Sequence, residues 1–119
     1  MHPHSVRACS LLFAIAMGGV SIAIADEPAD LLSPDRVERG HEAFGASCSY
    51  CHGENGAGGA TGAPGLQGRT DLSAADLFET ITNGRISGMN IMPAWGESLS
   101  EEQRWALVAY IRSLAGDAK

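Results

Sequence analysis

Cys48, Cys51 and His52 are the residues of this chain whose types and spacing point most directly to chemistry. In Cys48-Ser49-Tyr50-Cys51-His52 an imidazole follows the second of two closely spaced thiols, which is the C-x-x-C-H pattern of covalent haem attachment. Thiols so spaced add across the two vinyl groups on one edge of a porphyrin, and the adjacent imidazole is then delivered beneath the iron. Ser49 and Tyr50 carry no such constraint. Other chemistries fit less of the pattern. A structural zinc site needs four nitrogen or sulfur ligands, yet no cysteine follows Cys51 and no histidine follows His52. A thioredoxin-like pair belongs in a strand-helix-strand unit, and no strand pattern flanks this one. A plain Cys48 to Cys51 disulfide stays open as a reading, and it leaves His52 without a task.

The elements that must hold this pentapeptide are legible on both sides of it. Ser33-Pro34 predicts a helix start, with a hydroxyl N-cap, proline at the first helical position and Asp35 in the first turn. Val37, Gly40, His41 and Phe44 recur at helical spacing, so one face of this helix runs into the motif. Glycine inside a helix costs about 1 kcal/mol relative to alanine, and Gly40 is expected where a second helix crosses closely. Ahead of it, Asp26 to Leu32 has no pattern and reads as a mobile lead-in.

Beyond His52, the stretch from Gly53 to Gly68 is too rich in glycine for helix or strand. It lacks the ending and the preceding strand of a phosphate cradle. A flexible linker is one reading; the preferred one is a packed loop, anchored by Pro64 and Leu66, that passes close to the porphyrin. Ser73 with Asp76 predicts the next helix start, Leu77, Phe78 and Ile81 its apolar stripe, and Asn83-Gly84 its end. Arg85 to Glu97 carries Met89, Met92, Pro93 and Trp95 without periodicity and is expected to be an extended loop. Ser100 to Gln103 is a capping box, after which Leu107, Tyr110, Ile111 and Leu114 share one side and Gly116 ends the helix. No segment alternates with period two, so the expected fold is all-α, with three principal helices and two functional loops.

A length of 119 residues with 45% hydrophobic content bounds the chain to one small domain. Residues 1–25 read as a secretory signal peptide: Arg7 and the amino terminus supply positive charge, Leu11 to Val20 the apolar run, and Ala23-Ile24-Ala25 the cleavage site. The run is short and rich in small residues for a membrane span, though an uncleaved anchor is the alternative. Cys9 precedes the run, where a lipoprotein cysteine would follow it, and is given no role. The expected domain is therefore 26–119, located in the periplasm, with no membrane span after cleavage. Cleavage removes Arg7 and none of the 14 acidic residues, leaving 7 basic residues and a formal net charge of −7. That balance argues against nucleic acid and favours a partner with a basic docking face. So short a domain buries little apolar surface. The haem is expected to form much of the core, and the chain not to fold stably without it.

Taken with Ala63-Pro64-Gly65-Leu66, with Asn90-Ile91-Met92-Pro93-Ala94-Trp95 and with a last helix bearing Leu107 and Tyr110, the motif resembles the class I c-type cytochromes. The likeness is to the small bacterial kind that includes cytochromes c5, c6 and the oxidase-associated cytochrome domains, and it spans about Val37 to Leu114. It implies a cytochrome c fold with three principal helices wrapped around one covalent haem c. It further implies thioether bonds from Cys48 and Cys51, His52 and Met92 as axial ligands, and a Pro64 carbonyl that accepts from the other imidazole nitrogen. Gly40 and Phe44 would meet Leu107 and Tyr110 where the first and last helices cross, and Trp95 would pack near the propionate edge. Met89 competes for the distal position; Met92 is preferred because the family's ligand precedes a proline, as Met92 precedes Pro93. His41 is assigned to the surface or to packing.

With histidine and methionine both bound, the iron has no open position, and sulfur ligation favours the ferrous state. The first reading is therefore a soluble one-electron carrier, an electron-transfer protein and not an enzyme, that works with redox partner proteins; the signal segment places it in the periplasm, and a monomer is expected. A fixed subunit of a dehydrogenase or oxidase complex is the second reading. A haem gas sensor or peroxidase, in which the Met92 bond opens, is the third.

Overall fold

Proline has a φ preset for a helix and no amide hydrogen to leave unpaired, and the chain enters its first helix, α1 (Pro34–Ser47), at Pro34. The computed structural model describes residues 18–19, 25–59 and 61–117. The signal-peptide reading of residues 1–25 lies outside the described residues except at Gly18, Gly19 and Ala25. After α1 come α2 (Ser49–His52), α3 (Ala74–Asn83), a hairpin of β1 (Arg85–Ser87) and β2 (Asn90–Met92), and α4 (Glu101–Leu114). Single 3-10 turns follow α2 at Glu54–Gly56 and α4 at Ala115–Asp117.

The core is the crossing of α1 and α4. A Cβ placed on Gly40 would stand 1.9 Å from the carbonyl oxygen of Ala106 and 2.8 Å from Cβ of Tyr110, so the two backbones touch where only glycine fits. Phe44, one turn on, is almost wholly buried and tilts against Tyr110 with ring centroids 5.2 Å apart. Because α4 has α1 on one side and α3 on another, it is buried without interruption from Trp105 to Ile111 and again at Leu114. The one-sided stripe expected from its spacing understates this, since a helix covered on two flanks has no solvent face along its middle.

Several local expectations are corrected. Asp26 to Leu32 is tied into the domain: Leu31 is buried, and Arg36 donates to both the carbonyl (2.8 Å) and the carboxylate (2.6 Å) of Asp30. The arginine side chain is only 10% exposed and also reaches Glu102 on α4, so an ionic contact joins the lead-in to two helices. Ser33 precedes α1 without a side-chain cap bond. The buried residues of α1 are Arg36, Gly40 and Phe44, whereas His41 lies at the flank, exposed, stacked on Tyr110 at 5.0 Å. Where an extended loop was expected, Arg85 faces Met92, Ile86 faces Ile91 and Ser87 faces Asn90 in an antiparallel ribbon, with Gly88 at φ 61 completing the turn. A three-residue strand is too short for alternation to stand out in sequence.

The helix starts of α3 and α4 form as their sequences predict. Ser73 Oγ accepts from the Asp76 amide at 3.1 Å and donates to its carboxylate at 2.6 Å. Ser100 and Gln103 complete the reciprocal box at 3.2 Å and 2.9 Å.

Candidate functional site

The last turn of α1 hands the chain to the one-turn helix α2, with Cys48 at its cap, Cys51 inside it and His52 at its end. One helical turn separates the cysteines, so both thiols and the imidazole are held in a single rigid unit. The Cys48 amide donates to the carbonyl of Phe44 at 2.8 Å, which continues α1 into the motif. Both thiols are free, and the disulfide reading is not the state observed. Burial, reinforced by the neighbouring Cys51, pushes the Cys48 thiol up to about 11, so it is kept in its protonated form. No group of three or more His, Cys, Asp or Glu side chains able to hold a metal occurs among the described residues, which removes the zinc reading there.

Orientation of the imidazole comes from the glycine-rich loop. Nδ1 of His52 lies 3.0 Å from the carbonyl oxygen of Pro64; a carbonyl only accepts, so Nδ1 is the donor, and in the neutral ring Nε2 is the nitrogen left with its lone pair. The loop is packed rather than a free linker. Gly53 leaves α2 at φ 79, and a Cβ there would stand 2.3 Å from the carbonyl oxygen of Gly58. Gly58 and Leu66 donate to the carbonyls of His52 and Gly56, each at 2.7 Å, and the Leu66 side chain enters the core. Thr61 Oγ1 donates to the Cys51 carbonyl at 3.1 Å. A further tether was missed by sequence reasoning: Asn55, at φ 54, accepts from the Tyr110 hydroxyl at 3.2 Å and so joins α4 to the turn after His52. The Asn55-Gly56 dipeptide is the sequence signal for that turn. Burial raises the Tyr110 pKa and keeps its hydroxyl a donor.

The two methionines are separated by the hairpin. Met89 sits at the tip, 97% exposed, while Met92, on β2, is half-buried and packs against the core. Trp95, half-buried against the same core, donates its backbone amide to the Ile81 carbonyl at 2.9 Å. Paired free thiols, an imidazole oriented through its far nitrogen and a thioether packed inward are a donor set that fits a covalently held haem: soft sulfur and imidazole nitrogen suit its iron.

Fold and motif together define a c-type cytochrome domain, a class that carries covalent haem c. The chain belongs to the family of cytochrome c domains described as cytochrome c oxidase, cbb3-type, subunit III, whose model matches residues 35–111. Among curated relatives, the cbb3-type cytochrome c oxidase subunit FixP of Azorhizobium caulinodans is 41% identical over 86 residues, covering 67% of this chain and 28% of the relative. The chain spans less than a third of the length of the curated relatives it matches. Among solved structures, the c-type cytochrome XoxG of Methylobacterium extorquens AM1 superposes with a TM-score of 0.62 at 27% identity, covering 70% of this chain and 52% of that one. Cytochrome c6 of the diatom Phaeodactylum tricornutum gives 0.55 at 26% identity, covering 68% and 95%.

Proposed function

We propose that this domain is a one-electron carrier whose haem iron is bound by His52 and Met92, with thioether bonds at Cys48 and Cys51 and with Pro64 and Trp95 in the surround. The observation that carries the reading is the 3.0 Å bond between His52 and the Pro64 carbonyl, because it fixes the tautomer that leaves Nε2 free to ligate. Haem c, when bound, supplies a single redox centre that cycles between ferric and ferrous iron. The protein's part is to hold ligands that serve both oxidation states. His52 is fixed by its covalent neighbours and by Pro64, and Met92 is held inward on a paired strand. Little rearrangement then accompanies the gain or loss of an electron.

Export through the segment 1–25, a periplasmic location, a monomeric state and docking to a basic partner surface belong to the same proposal; among the described residues no helix is long and apolar enough to cross a membrane. Expression in a host that matures c-type cytochromes, followed by an anaerobic redox titration, tests it. One reversible electron per covalently attached haem is expected, and a colourless mature protein would contradict it. A second reading, a cytochrome subunit of an oxidase complex, is supported by the FixP and CcoP relatives. Copurification of the native protein with a larger redox complex would favour it over a free carrier.

A further inference from the structure

The segment carrying Met92 is a loop pinned at both of its ends to the last turn of α3. Gly84 donates to the carbonyl of Thr80 at 2.8 Å, Trp95 to that of Ile81 at 2.9 Å and Gly96 to that of Thr82 at 3.0 Å. The first of these is the closing bond of α3 itself; the carbonyls of Ile81 and Thr82, which a helix end ordinarily leaves to water or to a cap, accept from the far end of the loop and close the base of the hairpin. The fit is tight: a Cβ on Gly84 would stand 2.5 Å from the Met92 carbonyl oxygen, and one on Gly96 3.0 Å from that of Thr82. Wherever the last turn of α3 goes, Met92 follows.

That turn is itself held by α4. Arg104 donates from its terminal nitrogen to Thr82 Oγ1 at 2.6 Å, and Thr82 Oγ1 donates in turn to the Phe78 carbonyl at 2.7 Å. The Arg104 guanidinium lies 4.8 Å over the Phe78 ring, whose other neighbour is the Trp105 indole, stacked at 4.1 Å. Packing alone does not account for the arginine, because its Nε is buried with no hydrogen-bond partner, and an unsatisfied buried donor is destabilising. A methionine would cover Phe78 without that cost. What the arginine adds is the bond to Thr82.

We propose that Arg104 and Thr82 are positioning residues for the distal ligand, a pin through which α4 fixes the α3 terminus and thereby keeps the Met92 sulfur at the iron. This rests on the assignment of Met92 as a ligand. The pin acts on the equilibrium between a closed Met92 loop and an opened one, so its loss admits an external ligand to the iron without unfolding the domain.

The test uses the ferric holoprotein and free imidazole, titrated optically at a temperature well below the unfolding midpoint, together with the reduction potential. Thr82→Val keeps the side-chain shape and removes both hydrogen bonds; Arg104→Met keeps the cover over Phe78 and removes the donor. Each should raise imidazole affinity about tenfold or more, equivalent to about 1.4 kcal/mol of loop opening, and lower the potential. Arg104→Lys, which restores a donor, should recover part of the difference. Asp71→Asn removes the exposed Arg69–Asp71 pair ahead of α3, whose bonds take no part in the hairpin base or the Arg104–Thr82 bond, and should leave imidazole affinity unchanged. Equal imidazole affinity in wild type, Thr82→Val and Arg104→Met would overturn the pin. Met92→Ala supplies the separate check: if it too leaves imidazole affinity unchanged, the ligand assignment itself fails, and the pin with it.

Discussion

Met89 and Met92 are three positions apart, and the distinction between them is that one lies in the turn and the other on a strand that packs against the core. Met92 packs inward on β2, and Met89 stands free at the turn. Met92→Ala is accordingly expected to open the iron and lower the reduction potential sharply, and Met89→Ala to do neither, as read by redox titration. The opened site appearing in Met89→Ala instead would reverse the assignment. The C-x-x-C-H motif and the His52–Pro64 contact were legible in the sequence, the first because covalent attachment demands fixed residue types and the second through the family resemblance. Arg104 and Thr82 were not, since a side chain that acts through a backbone carbonyl or a neighbouring ring leaves no fixed spacing behind, and Asn55-Gly56 signals a turn but not the bond to Tyr110. Arg69 and Asp71 form an exposed ion pair on the stretch before α3: two bonds of 2.7 Å hold the Asp71 carboxyl below its usual 3.8, at about 2. A carboxyl with a lowered pKa in the folded state stabilises above its unfolded pKa and loses that contribution as pH falls through the folded value. Thermal unfolding of wild type and Asp71→Asn should therefore differ above about pH 4 and converge towards about pH 2.

At the scale of elements, the sequence announced helix ends better than helix environments. Ser73 and Ser100 cap as expected, because a cap is a local bargain between one side chain and one amide. The burial of α4 on nearly every side depends on two other helices and is invisible to periodicity. The hairpin at 85–92 looks like a loop in the sequence for the related reason that its strands are short and its base is held by bonds to α3. Two substitutions separate local from tertiary effects. Ser100→Ala should cost about 1 kcal/mol in denaturant unfolding. Gly40→Ala, whose new Cβ would meet the Ala106 carbonyl, should cost at least about 2 kcal/mol even though alanine is the better helix former. A neutral or stabilising Gly40→Ala would mean that α1 and α4 do not cross in contact.

For the molecule as a whole, the core among the described residues is the crossing of α1 and α4, with α3 packed on α4 and the loop folded onto it through Leu66. A domain of this length has little other apolar surface to bury. The chain lacking haem is expected to show a weak, non-cooperative thermal transition by circular dichroism, and the mature holoprotein a sharp one at a much higher temperature. The acidic balance of the sequence predicts in addition that electron transfer to a basic partner will slow as salt rises.

Whether charge is merely passed on or a molecule is bound and changed turns on the sixth ligand. Exposure of the reduced native holoprotein to carbon monoxide at neutral pH, followed optically, tests this most directly. An unaltered spectrum is the predicted result, because under the proposed ligation Met92 would fill the position the gas needs. Formation of a carbonyl adduct by the native protein would contradict the account and make the domain a gas-binding haem protein.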